Sequence, residues 1–289
     1  MKWFDYTRPH TLPEALALLD KHGDGARMLA GGTDLLVQLR AGRRQVDFLV
    51  DVKEVPELNA LRMNGGGLTL GAAVPCYRIY RDETVSRAYR GLHDVATIIG
   101  GTQIQGRASI GGNLANAAPS ADAIPILIAY GAQCRIQGPQ WERTAPVEDF
   151  CTAPGKNVLS AGEMLVSLQL PAPGKGSGAA YLRFIPRNEM DIAVVGAGVT
   201  VTIAEGTIRA ARVALAAVAP TPLYVPEAGQ SLVGKPPTDE NLRRAAEIAK
   251  EAARPISDMR APAEYRRHLC AVLTRRALEI AVRRAEENQ

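Results

Sequence analysis

The 289-residue chain has little of what would mark several common function classes. Its four cysteines, Cys76, Cys134, Cys151 and Cys270, are far apart and form no C-x-x-C pair. That spacing suits neither a zinc knuckle nor an iron–sulfur ligand set and reads as scattered thiols in a reducing compartment. The four histidines, His10, His22, His93 and His268, show no H-E-x-x-H or other ligand spacing, so no metal site is expected. No segment approaches the roughly twenty apolar residues of a membrane span. The opening MKWFDYTRPH lacks the apolar stretch of a signal peptide, which predicts a cytoplasmic protein. The net charge of +4 is spread thinly apart from arginines near the C-terminus, which argues against a nucleic-acid footprint. There is no G-x-x-x-x-G-K-[ST], and Gly196-Ala197-Gly198 begins no G-x-G-x-x-G, so P-loop and Rossmann readings fail. Internal repeats and low-complexity tracts are also missing.

What is present is apolar content of 46%, enough for two or three compact units with their own cores. Thr11-Leu12-Pro13-Glu14 is a capping-box pattern with proline in the first turn, and Ala15, Leu16, Leu18 and Leu19 supply an apolar face, predicting a helix over 12–22. A strand over 27–30, a helix over 34–40 and a strand over 48–52 complete a small βαβ-type unit. Beyond Pro56 the texture changes. The pattern predicts a strand over 68–74, helices over 85–89, 92–99 and 123–131, and strands over 133–137 and 163–170. Pro171-Ala172-Pro173-Gly174-Lys175-Gly176-Ser177-Gly178 is the best linker candidate, and the main domain boundary is expected there. Strands over 180–184, 192–203 and 207–215 follow, then helices over 239–253 and 262–286. In the last helix Tyr265, Leu269, Val272, Leu273 and Ile280 form a packing stripe, with the arginines read as a solvated face.

Two glycine-rich segments about eighty residues apart carry the chemistry. The first is Leu29-Ala30-Gly31-Gly32-Thr33-Asp34; the second is Ser109-Ile110-Gly111-Gly112-Asn113-Leu114-Ala115-Asn116, running on to Pro119-Ser120-Ala121-Asp122. Without a Cβ, successive N–H groups can converge on an anion, and a following helix N-terminus adds partial positive charge. One such turn occurs in many proteins for steric reasons alone. Two on one chain suit the paired phosphates of a dinucleotide held between lobes, read here as FAD. Asn113 can brace its loop through its amide. Asp122 can accept from polyol hydroxyls or cap the helix that starts at Ala123.

These segments, together with FDYTRPHTLPEALALL (4–19) and YLRFIPRNEMDIA (181–193), resemble the FAD-binding medium subunit of the molybdenum hydroxylase family, the xanthine dehydrogenase and carbon monoxide dehydrogenase type enzymes. The likeness covers nearly the whole chain, with four motifs in order. It implies an α+β chain: a PCMH-type, vanillyl-alcohol-oxidase-like FAD-binding domain over 1–174 with α/β subdomains 1–56 and 57–174. A small C-terminal domain of a three-stranded sheet with helices would occupy 175–289. Carried over by position, Leu29, Ala30, Gly31, Gly32, Thr33 and Asp34 would hold the pyrophosphate and adjacent ribose. Ser109, Gly111, Gly112 and Asn113 would hold the diphosphate from the other side. Asp122 would bind adenosine or ribityl hydroxyls, Leu165 would pack near the isoalloxazine, and Tyr181 and Arg183 would lie near the ring.

The chain departs from the family pattern in places. Gln103-Ile104-Gln105-Gly106 stands where many members read Q-I-R-N, and Thr33 where some have histidine. With no histidine or cysteine in either loop, the FAD is expected to be noncovalent. Relatives that reduce aromatic coenzyme A thioesters carry a cysteine-rich insertion for a four-iron cluster, and nothing between Asp122 and Trp141, where Cys134 stands alone, could supply it. Lacking cluster and molybdopterin motifs, the chain would be a flavin module that contributes no catalytic side chain. It would serve with a [2Fe–2S] subunit and a large molybdopterin-binding subunit, in a dimer of heterotrimers, passing electrons from the clusters to an external acceptor. A self-sufficient flavin oxidase and a noncatalytic nucleotide-binding assembly subunit remain as alternatives at this point.

Overall fold

The structure is a computed structural model that describes residues 2–289. A parallel sheet comes first, built from β1 (Asp5–Thr7), β2 (Ala26–Leu29) and β3 (Phe48–Asp51) in the order β1-β3-β2. Parallel neighbours need crossovers, and helices α1 (Leu12–His22) and α2 (Leu35–Arg40) provide them. Thr11 caps α1 by accepting the N–H of Glu14 through Oγ1 at 3.3 Å, while the Glu14 carboxylate accepts the N–H of His10. Pro13 fits the first turn, Gly23 takes positive φ at the end, and Leu12, Ala15, Leu16 and Leu19 are buried. The βαβ-type unit therefore gains a third strand: β1 spans three residues, too few to show an alternation in sequence.

The second sheet is antiparallel and holds β4 (Leu61–Asn64), β5 (Gly67–Gly71), β6 (Gln133–Gln137), β7 (Glu142–Pro146) and β10 (Met164–Pro171) in the order β4-β5-β10-β6-β7. A two-stranded ribbon, β8 (Cys151–Ala153) with β9 (Lys156–Asn157), lies between β7 and β10 in the chain. Four short helices, α3 (Cys76–Arg81), α4 (Glu83–Ala88), α5 (Arg90–Ala96) and α6 (Thr102–Gln105), lead to α7 (Ile110–Asn116) and to α8 (Ala123–Tyr130), buried in all but its last residue.

The third sheet has the order β11 (Ser177–Phe184), β12 (Val195–Ala204), β13 (Thr207–Ala216), β14 (Leu223–Tyr224). It has four strands where the resemblance implied three. The extra one is a two-residue pairing with Ala214 and Leu215, set among Pro220, Pro222 and Pro226, which obscure any strand pattern. Helix α9 (Pro226–Gln230) packs on β13 and α10 (Asp239–Ala252) on α11 (Ala263–Glu286), which in turn covers β11 and β12. From the other side β12 presses onto α8 so closely that a Cβ on Gly198 would stand 2.6 Å from Ile126 N. That contact ties the third sheet to the part of the chain before the linker.

The arginines of α11 are not all a solvated face. Arg266 is buried, donating to the Val194 carbonyl at 2.7 Å and to Asp258 at 2.7 Å. Arg284 makes a forked pair with Asp94 at 2.6 and 2.9 Å. The stripe itself runs through Leu269, Leu273, Ala277 and Ala281, while Tyr265 is exposed.

Candidate functional site

Both glycine loops open onto one cavity of about 780 Å³, near the top of the range of roughly 300–1,000 Å³ for small-molecule and cofactor clefts. The first loop leaves β2, turns through Gly32 at φ +76 and enters α2. The second begins at Ser109, whose Oγ accepts the Gly112 N–H at 3.0 Å and so caps α7. Two helices thus start at the cavity wall, each with N–H groups that no carbonyl one turn back can take. Among the described residues, the N–H groups of Gly32, Thr33, Asp34 and Leu35, and that of Gly111, donate to no protein acceptor, whereas the bridge between Pro75 and Ser109 turns the Ile110 N–H toward the Val74 carbonyl. The unpaired groups are available to an anion in the cavity.

The loops also hold each other. A Cβ on Gly31 would lie 2.1 Å from the Arg107 carbonyl oxygen, and Arg107 Nε donates to the Gly31 carbonyl at 3.0 Å. Gly111 is pressed against Ala72, whose Cα would be 2.5 Å from an added Cβ. These two glycines are required by protein packing. Gly112 is different: an added Cβ would meet only Ser109 Oγ, at 2.9 Å. Across the cavity Gln38 Nε2 donates to Asn116 Oδ1 at 2.9 Å, bridging α2 to α7. Asn113 does brace its loop, through Oδ1, which accepts the Ala123 N–H at 3.1 Å.

Of the residues expected at the site, the structure brings Ala30, Gly31, Gly32, Thr33, Asp34, Ser109, Gly111, Gly112, Asn113 and Leu165 to the cavity. Partial desolvation at the cavity wall pushes the Asp34 carboxyl up. Leu29 is not at the wall: it packs with Leu39, Val46 and Leu49. Asp122, Tyr181 and Arg183 are not at the wall either. Asp122 Oδ1 accepts from Tyr181 Oη at 2.8 Å and Oδ2 from Arg183 at 2.7 Å, and its side chain caps no helix. Arg183 also donates to the Ile98 carbonyl at 2.7 Å, so this cluster sits behind Ile99 and Asn113, both of which line the cavity. Burial raises the Asp122 carboxyl despite the opposing effects of Arg183 and Tyr181.

Sequence reasoning misses Gln38, Asn116, Ile99, Arg27, Arg44 and the segment 155–162 apart from Val158, all lining the cavity. Asn116 is within reach, as part of the second motif, and Gln38 follows Asp34 by one helical turn. The 155–162 segment carries no pattern, because it is held by tertiary bonds. Asn157 Nδ2 donates to the Ala115 carbonyl at 2.8 Å, and Glu163 accepts Arg143 at 2.7 and 2.9 Å and the Ser160 N–H at 2.6 Å. Burial opposes ionisation of Glu163, but these hydrogen bonds outweigh it and hold the carboxyl below its ordinary range. Its contribution to stability is therefore full above the ordinary carboxylate range and lost as pH falls through the lowered value. Glu163→Gln should cost about 1–2 kcal/mol at pH 7, because Arg143 is partly exposed and screened. In urea titrations the gap to the parent should close at acid pH; a gap that stays constant would refute this role.

The chain has relatives that match it from end to end. Residues 2–173 match the profile described as the FAD binding domain in molybdopterin dehydrogenase, and residues 180–281 that of the CO dehydrogenase flavoprotein C-terminal domain. The carbon monoxide dehydrogenase medium chain of Afipia carboxidovorans is 32% identical over 283 residues, covering 98% of both chains. A putative xanthine dehydrogenase FAD-binding subunit of Escherichia coli is 32% identical over 279 residues, 96% of this chain and 95% of its own. Among solved structures, reconstituted CO dehydrogenase from Oligotropha carboxidovorans superposes with TM-score 0.94 at 32% identity, covering 98% of this chain and 99% of the other. Quinoline 2-oxidoreductase from Pseudomonas putida does so with TM-score 0.91 at 30% identity and 99% coverage of both.

Proposed function

The chain belongs to the family of FAD-binding subunits of molybdopterin dehydrogenases, and from this premise we propose that it is the electron-transfer flavoprotein of a larger oxidoreductase. It accepts electrons from [2Fe–2S] clusters of one partner subunit, serves a molybdopterin-binding large subunit, and passes electrons to an external acceptor. The assembly is a dimer of heterotrimers in the cytoplasm. Within the chain, 1–174 is the PCMH-type domain, with subdomains 1–56 and 57–174, and 175–289 is the C-terminal domain.

The single observation that carries this reading is the pairing of two helix N-termini, α2 and α7, on one cavity, with free N–H groups on both and direct bonds between their loops. The Ala30–Asp34 and Ser109–Asn113 loops would hold the diphosphate between them, and the solvent-accessible Asp34 carboxylate at the cavity wall would accept from a ribose hydroxyl. Leu165 with Ile99 and Ile104 forms an apolar wall suited to a ring system. Bound there, the flavin supplies two-electron redox chemistry, and the protein positions and tunes it. No histidine or cysteine lines the cavity among the described residues, which supports noncovalent binding.

The purified full chain is expected to be yellow, to release one FAD per chain on acid precipitation, and to bleach with a chemical reductant. A chain that takes up no flavin under any condition would overturn the proposal. Turnover of a small oxidisable substrate by the isolated chain would revive the self-sufficient oxidase, and FAD that cannot be reduced would favour a noncatalytic subunit.

A further inference from the structure

A second cavity of about 270 Å³ lies beside the first. Phe4, Leu39 and Val46 line its apolar side, and Lys2, Arg40 and Arg44 its polar side. Arg44 belongs to both cavities. Lys2 has a carboxylate partner, Asp47 at 2.8 Å, in an exposed pair. Among the described residues neither Arg40 nor Arg44 forms an ion pair. Arg44 is half-buried and faces Arg27, whose own Nη1 donates only to the Asp24 and Ala26 carbonyls. Partial burial and a like charge both disfavour the Arg44 cation, so the fold holds one half-buried guanidinium with no carboxylate paired to it among the described residues, beside the exposed Arg40.

We propose that the small cavity is a phosphate-binding site coupled to the FAD cavity through Arg44. Guanidinium forks match phosphate oxygens, and about 270 Å³ admits inorganic phosphate or a short phosphomonoester but no nucleotide. The apolar wall of Phe4, Leu39 and Val46 favours a phosphomonoester with a small alkyl group over the bare ion. A guanidinium that neutralises an anion in one cavity exerts less pull on phosphates in the other. Phosphate in the small cavity therefore weakens FAD binding, and FAD weakens phosphate binding by the same factor. The inference rests on the larger cavity being the FAD site.

The test uses the full chain stripped of flavin. Calorimetry should detect inorganic phosphate, and butyl phosphate should bind more tightly; equal affinities would assign the site to the free ion. FAD titrated by fluorescence quenching should bind at least 3-fold more weakly in saturating phosphate than in chloride of the same ionic strength. Arg40→Gln, which alters only the small cavity, should match the parent FAD affinity in chloride and lose both the phosphate heat and the phosphate effect. If FAD binds the parent but phosphate gives no heat, or binds without altering FAD affinity, the inference falls and the FAD reading stands. If FAD does not bind at all, the FAD reading falls and with it the coupling.

Discussion

Gly112→Val is expected to fold, to show a parent-like melting profile within a few degrees, and to purify without colour. The reason lies in the unequal duties of the four loop glycines. Gly31 and Gly111 are pressed against backbone, at 2.1 Å from the Arg107 oxygen and 2.5 Å from the Ala72 Cα, so side chains there force segments of the core apart. Gly32 needs its positive φ. Gly112 is the exception, since a Cβ meets only the Ser109 hydroxyl at 2.9 Å. A branched side chain displaces that hydroxyl from the Gly112 N–H, loosens the first turn of α7 and fills the space that the free N–H of Gly111 faces. A hydrogen bond to a charged group contributes about 1.5–3 kcal/mol, so losing it weakens FAD binding by roughly 10–10²-fold, to which the overlap of the valine with the diphosphate adds. Titration of the stripped protein with FAD, alongside circular dichroism, checks both halves. Gly111→Val is the control, expected to lose the fold as well as the cofactor. Parent-like FAD content in Gly112→Val would show that the second loop does not face the diphosphate.

How much of this can be read from the residues differs from element to element. Helix α1 announces itself through Thr11, Pro13 and Glu14 and occupies the span that its pattern predicts; β6 also matches its expected span. Such elements are written in local patterns. β1 and β14 are not, because strands of three and two residues exist only through their partners. The same division holds at the site. The glycine loops are legible because backbone conformation and close approach limit residue choice locally. Leu29 departs from its expected position because membership of a motif says nothing about which face of β2 a side chain takes, and here it joins Leu39, Val46 and Leu49. Asp122, Tyr181 and Arg183 do lie together, but behind the cavity wall and not on the side that a ligand would touch. Their position depends on β11 meeting the start of α8 across about sixty residues of chain, which no local pattern encodes.

That cluster has its own consequence: Asp122→Ala should destabilise the protein by about 3–5 kcal/mol at neutral pH, the usual result of removing one partner from a buried ion pair. The Arg183 and Asp122 side chains are 8% and 11% exposed, so the guanidinium left behind reaches little water. Tyr181, fully buried, loses its acceptor as well. The damage should extend to the FAD cavity, because Arg183 also holds the Ile98 carbonyl beside Ile99, and Asp122 precedes Ala123, whose N–H secures Asn113. Asp122→Ala/Arg183→Leu should recover more than half of the loss, since no buried charge is then left unpaired. Asp122→Asn should cost less than Asp122→Ala because its carbonyl oxygen can still accept one of the two donors. The pH dependence separates this from simple loss of packing. Burial raises the Asp122 carboxyl, so its stabilising contribution is full below the ordinary carboxylate range and declines as pH rises through the raised value. The advantage of the parent over Asp122→Asn in urea titrations should therefore be larger at acid pH than at neutral pH. An advantage that grows with pH would mean that attraction to Arg183 outweighs burial. A double variant no more stable than Asp122→Ala would show that the cluster acts by shape and not by charge.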